Sequence, residues 1–458
     1  MKGMVIKMIL YDLARRAKHV LKEYQKSRDC EYITPVRRIE KVYPPHLRRV
    51  VAMTFDDGPT DAQTNPKITD SGLTLHLLET LESFGARGTF DVIGTTEHNY
   101  PDEAGTHGSF TWGGVKFDHY PDINQDSHAG AKNKPELISR ILAGGHEISN
   151  HGYRHILFGK MKMVYGDREH FNNVHEVISD IMELDSLLLD RHGYKMSLSR
   201  PPHYVDKIPD GKNSYDAYRY AGYNYMAASF DGGGWLPTGD FESDVEAMVA
   251  PLRRALEDNP DSLNGQIIFQ KDGYSMARLT PVAAALPEQL KLLKSYGYEV
   301  VTVSELLSLS PFVDCYDEDA AALISAGYTV AYRNNTLQPS RALTFGELIT
   351  MIVPPEKVNE AYRNFVDSGY STKGLDRACA ESYGLTPAHP YFIAFCVASE
   401  LGIINRANKE KLSFKSPVTG ELFAAVMRKI SPDYEFTTKP GKLLRKDVFA
   451  HIRRALIK

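Results

Sequence analysis

Between residues 45 and 307 short apolar runs alternate with helical patterns, and few folds accommodate that rhythm. RRVVAMTF leads into GLTLHLLETLESFGA and then RGTFDVIG; PELISRILAGG, NYMAASFD, QIIFQ, PEQLKLLKSYG and YEVVTV follow. Neighbouring parallel strands need a crossover long enough to hold a helix. The alternation therefore predicts a parallel sheet, either open or curled into a β/α barrel. In both, chemistry collects at the C-terminal ends of the strands.

A chain of 458 residues predicts two or three domains. The rhythm places them at 1–44, a helical N-terminal extension, at 45–308, and at 311–458, where helices and short turns take over. With 24% charged residues and a net charge of −4, the chain is not a nucleic-acid binder driven by phosphate neutralisation. Cys30, Cys315, Cys379 and Cys396 are scattered without a CxxC pair, which predicts reduced thiols rather than a disulfide framework or a zinc knot. No stretch approaches the ~18 apolar residues of a membrane span.

Near the N-terminus Ile9, Leu10, Leu13, Ala17, Val20, Leu21 and Tyr24 recur at helical spacing with Lys and Arg opposite. Asp12, Arg15 and Arg16 cut the apolar run too short for a signal peptide, so the sequence predicts a cytoplasmic location. Such a basic amphipathic helix packs on its own protein or lies on a membrane surface. Residues 95–133 are polar and contain His98, His107, His119 and His128. A loop this long is usually functional or disordered, and its position predicts that it covers the mouth of a pocket.

VAMTFDDGPT (51–60) runs a strand into adjacent carboxylates, Asp56 and Asp57, and stops it at Gly58-Pro59. Strand neighbours point to opposite faces and adjacent carboxylates repel, so the pair needs both the turn and a cation. In GHEISNHGYRH, His151 and His155 stand four apart, a spacing that suits two metal ligands on one helical face. Alone the pair says little, because 16 histidines in 458 residues give about half such a pair by chance. SRPPHY (199–204) and FDGGGW (230–235) also follow strand-like runs.

Taken in order, TFDDGP, NHGYRH, SRPPHY and FDGGGW resemble the polysaccharide deacetylase family, the NodB-homology domains of carbohydrate esterase family four. The resemblance covers about residues 45–307. It implies a deformed (β/α) barrel, here followed by a smaller all-helical domain, and one divalent ion, usually zinc. It makes Asp57, His151 and His155 the metal ligands, Asp56 the general base and Arg200 the partner of that base. Without the other motifs, Arg200 would read as a surface residue before a Pro-Pro turn. One carboxylate and two imidazoles form a good donor set for zinc and leave positions open for water and substrate. The ion would acidify a water and polarise the acyl oxygen, and Asp56 would take the proton.

Trp235 matches a tryptophan that stacks on a sugar ring, although it also suits a core position. At the family's tyrosine, whose backbone N–H stabilises the oxyanion, this chain has His203 followed by Tyr204. Two family positions are absent. The histidine that protonates the leaving amine is replaced by Lys271 in GQIIFQKDG, and the aspartate that orients it by Gly234. The metal-and-base arm is whole and the acid arm is missing, which leaves Lys271 and His203 as candidate donors.

FVD occurs at 312–314 and 365–367, and SAGY…NTLQPSRALTFGEL (325–348) echoes SELGII…LSFKSPVTGEL (399–422). Each echo ends a helix at Gly and opens another with a Thr–Glu capping pair, which predicts two helical repeats. LLRKDVF (443–449) reads as a worn third. The repeats resemble S-layer homology modules, which implies binding to a cell-wall polymer if the chain is exported by another route. A helical accessory or dimerisation domain is the plainer alternative. Three functions fit: removal of N-acetyl from an amino-sugar glycan, hydrolysis of another amide or imide, and glycan recognition by an inactive metal-binding relative.

Overall fold

The computed structural model describes residues 29–46, 48–62, 67–97, 128–163, 166–167, 169–233, 240–273, 279–406, 412–437 and 440–457. The chain divides into two compact units, Arg38–Pro311 and Met1–Arg37 with Phe312–Lys458. No described helix is long and apolar enough to cross a membrane.

The first unit carries strands β1 (Arg38–Ile39), β2 (Arg49–Asp56), β3 (Thr89–Val92), β4 (Glu147–Asn150), β5 (Lys162–Met163), β6 (Gly166–Asp167), β7 (Leu198–Ser199), β8 (Asn224–Met226), β9 (Phe230–Asp231), β10 (Ile267–Lys271) and β11 (Tyr298–Val301). β5 and β6 form a separate antiparallel hairpin. The other nine make one parallel sheet in the order β1-β8-β7-β4-β3-β2-β10-β9, with β11 also on β2. β1 and β9 stand at the two ends of this order, and the sheet with its helices forms a deformed, incomplete (β/α) barrel. The run NYMAASFD, which reads as one strand, supplies two, β8 and β9.

Strand β2 shows how sequence becomes a site. Alternation puts Val51, Met53 and Phe55 on one face and Val50, Ala52, Thr54 and Asp56 on the other. Both faces are buried, as a sheet covered on two sides requires. Phe55 stacks on Phe90 of β3 with ring centroids 4.9 Å apart. On the opposite face Val50 and Ala52 join Ile39, Leu198, Met226, Ile267, Val301 and Leu306 in an apolar cluster. Each such aliphatic side chain stabilises the fold by about 1.5–3 kcal/mol when fully buried. Thr54 and Asp56 continue the same row to the C-terminal end, so one strand passes from core to polar site within a few residues. Register then sets Lys271 opposite Asp56, Asp56 opposite Asp91, and Asp91 opposite Ser149.

The helix expected to open at Pro287 begins earlier and spans Val282–Ser295, with Pro287 inside it. An internal proline leaves the carbonyl four residues back without its N–H. That carbonyl, on Ala283, is met by His76 Nε2 at 2.9 Å, which supplies the partner the helix cannot.

In the second unit the repeat segments close on one another. Leu343 N donates to Leu443 O (2.9 Å), Val418 N to Leu343 O (3.0 Å) and Leu443 N to Val418 O (2.9 Å), a cyclic set drawn from the three segments whose sequences echo one another. All three side chains are buried. Thr344 and Glu347 cap helix Phe345–Ile352 reciprocally, as the sequence predicts. The second repeat departs from that expectation. Thr419 caps Gly420–Met427 alone, because Glu421 stands one residue too early to reach back. Arg445, from the third repeat, is wholly buried, ion-pairs with Glu347 at 3.2 Å and donates through Nε to Leu337 O at 2.9 Å.

Candidate active site

Asp56 ends β2 and is 2% exposed. A buried carboxylate needs a cationic or hydrogen-bonded partner. Arg200, fully buried one residue past β7, supplies it: Nη1 pairs with Asp56 Oδ1. The guanidinium is fixed by Thr54 Oγ1 at 3.1 Å and by Met226 O at 3.3 Å. The Asp–Arg unit is therefore built from three strand ends and is not a chance surface pair.

Beyond β2 the chain turns with Asp57 at φ 76°, which carries its carboxylate onto the same side as Asp56. The turn is tightly packed. A Cβ on Gly58 would come within 2.7 Å of Asp272 O, and one on Gly273 within 2.6 Å of Asp57 O, so neither position admits a side chain. His151 Nε2 lies 3.0 Å and His155 Nε2 3.4 Å from Asp57 Oδ1. The three possible ligand atoms all lie within 4.8 Å of one another.

The two histidines do not share a helical face. They occupy a loop after β4, with Gly152 at φ 89° and His155 at φ 54°. Asp180, on helix Val174–His192 and 1% exposed, shapes that loop by accepting from Tyr153 N (2.8 Å), Arg154 N (3.2 Å) and Arg154 Nε (2.9 Å). Asn150 Oδ1 accepts from Gly152 N at 2.9 Å. These bonds bring the rings together where a helix would have used its own ladder, and the ring centroids stand 5.1 Å apart.

Asp91 was not singled out in the sequence. It is fully buried, accepts from Ser149 Oγ at 2.6 Å, and places Oδ2 2.8 Å from His151 Nδ1. The same Nδ1 lies 2.8 Å from Arg200 O, so the ring is held between a carbonyl and the Asp91 carboxylate. With Nδ1 directed away, Nε2 faces Asp57 as a donor atom. A charge inside the apolar run GTFDVIG was the available signal, since buried charges demand partners.

On the other rim, Lys271 ends β10 and its Nζ pairs with Asp57 Oδ2. Its side chain is 24% exposed. The next residue, Asp272, is anchored by Thr74 Oγ1 at 2.8 and 2.9 Å. His203 stacks on His155 with centroids 5.9 Å apart. Tyr204, 38% exposed, lies with its ring centre 5.6 Å from Arg200 Cζ. Asp57, His155, His203 and Tyr204 are four of the seven non-glycine residues at positive φ among the described residues. Such backbone costs about 1–3 kcal/mol each and concentrates at functional sites. Trp235 and Gly234 lie outside the described residues, as do His98, His107 and His119; His128 is exposed and pairs with Asp61 at 2.8 Å.

The electrostatics follow from burial and these pairings. Burial, then the charges of Asp91 and Asp57, push Asp56 up to about 7 against the pull of Arg200 and His151. Burial also disfavours a charged Asp57, yet Lys271, His151 and His155 outweigh it and hold the carboxyl well below the usual range. His151 loses by burial but is raised well above its ordinary value by Asp91 and Asp57. The pocket thus keeps one fixed carboxylate beside another that titrates near neutrality.

Residues 44–224 match the sequence profile of the polysaccharide deacetylase family. The chain is 24% identical over 264 residues to the peptidoglycan-N-acetylmuramic acid deacetylase PdaC of Bacillus subtilis, covering 57% of this chain and 39% of that protein. It is 23% identical over 292 residues to the peptidoglycan-N-acetylglucosamine deacetylase PgdA of Listeria monocytogenes, covering 64% of this chain and 46% of that protein. The chain therefore spans less than half the length of these two relatives. The solved structure of PdaC from Bacillus subtilis aligns with a TM-score of 0.36 at 22% identity, over 57% of this chain and 92% of that chain.

Proposed function

Given that the segment 44–224 belongs to the polysaccharide deacetylase family, we propose that this chain is a metal-dependent hydrolase that removes an acyl group, N-acetyl above all, from an amino-sugar glycan. The convergence of His151 and His155 on Asp57 Oδ1, beside a second buried carboxylate, carries this reading. Two imidazole nitrogens and one carboxylate oxygen form a donor set that fits a divalent ion such as zinc. When bound there, the ion would supply Lewis acidity, polarising the acyl oxygen and making a water more acidic.

The protein's own residues do the rest. Asp57, His151 and His155 hold the ion. Arg200 engages Asp56 Oδ1, which assigns proton uptake from the attacking water to Asp56 Oδ2. A carboxyl poised near 7 suits that task. His203, stacked on His155, returns a proton to the leaving amine, because an imidazolium gives up its proton near neutral pH more readily than a lysine ammonium such as that of Lys271. The helical unit would bind a cell-wall polymer. Its wall-binding role is tested by retention on purified walls.

The deciding experiment is acetate release from N-acetylglucosamine oligomers and peptidoglycan fragments, run beside metal analysis. Wild type is expected to carry about one divalent ion per chain and release acetate, and His151→Ala to lose both while remaining folded. Lys271 and Gly234 at the two acid-arm positions favour a second reading, a metal-binding glycan-recognition protein. Metal bound without acetate release from any glycan would establish that reading instead. Unchanged metal content in His151→Ala would remove the ligand assignment.

A further inference from the structure

We infer that Lys271 is a resident counter-cation of the site, an ionic latch on Asp57 that a divalent ion must displace and that weakens metal binding in this chain. The inference rests on the ligand assignment above and concerns a residue which that assignment does not use. Both oxygens of Asp57 are engaged, Oδ1 by His151 and His155 and Oδ2 by Lys271. The contact is built into the sheet, because β10–β2 register sets Lys271 opposite Asp56 and so delivers the ammonium to the residue that follows. Asp272, bonded to Thr74 Oγ1 and through its N–H to Asp56 O at 2.7 Å, pins the backbone on the far side.

Charge sets the consequence. Asp56, Asp57 and Asp91 face two cations, Arg200 and Lys271, which leaves little net negative charge for an incoming dication. With Lys271 in place, an incoming ion meets a like charge across Asp57 in a poorly solvated pocket, where repulsion is strongly felt. Arg200 cannot withdraw, since it is fully buried and held by Thr54, Asp56 and Met226. Lys271 can, because its side chain reaches solvent and its four-carbon stem is flexible. Metal entry and release of the Lys271 ammonium are therefore one exchange at Asp57.

The test measures Zn²⁺ dissociation constants on the full chain by chelator competition, with His151→Ala as the control that defines site binding. Lys271→Met should bind Zn²⁺ at least tenfold more tightly than wild type, and Lys271→Arg, which keeps the charge, no more tightly than wild type. Unchanged or weaker binding in Lys271→Met would overturn the latch. Equal tightening in both variants would overturn it too, by showing that bulk rather than charge governs entry. Zn²⁺ binding that survives His151→Ala would instead defeat the ligand assignment, and the latch with it.

Discussion

Around Asp57, the residues Asp56, Asp91, His151 and Arg200 are each 3% exposed or less, and neighbours hold every one of them. At the rim of the same site Lys271, His203 and Tyr204 meet solvent. A charge in the interior must be paired or neutralised, so the buried part is over-determined: any member removed leaves another uncompensated. The rim carries no such constraint. Two of this chain's departures from the family pattern, Lys271 and His203, fall where water can screen the consequences. Burial separates the part of the site that must be kept whole from the part free to change.

The comparison breaks most decisively at Asp56. Asp56→Asn should keep the metal and lose about 10²–10⁴-fold in turnover, since an amide cannot accept the proton. Parallel metal analysis and kcat determination check this. If the variant loses the metal, the two aspartates have exchanged roles.

Arg200→Met asks whether the buried part is one electrostatic unit. Removing the cation strands Asp56 in the interior and should cost about 3–5 kcal/mol of stability, read from urea unfolding. A loss below about 1 kcal/mol would mean that Asp56 is not held in the way its pairing indicates. Tyr204→Ala supplies the contrast from the rim. Its cation–π contact with Arg200 is the main one at stake, so the same assay should register less than about 1 kcal/mol. A rim effect as large as that of Arg200→Met would erase the distinction between the two parts.

The sequence by itself determined the alternation of strands and helices, and hence a parallel sheet with chemistry at the C-terminal strand ends. Apolar period and glycine punctuation are local properties that need no partner to be read. It also named Asp56, Asp57, His151, His155 and Arg200, because motif order survives in one dimension. Tertiary structure decided how they meet. Only packing lets Asp180, far along the chain, replace a helix in bringing His151 and His155 together. Register placed Asp91 and Lys271 in the row of Asp56, and those pairings belong to the sheet rather than to any segment. The repeats in the second unit repeat the lesson. Their echoes were legible, but the ring through Leu343, Val418 and Leu443 joins residues 100 apart in sequence. Backbone hydrogen bonds and buried charges find partners across the fold, and one-dimensional pattern carries no record of which partner the packing will supply.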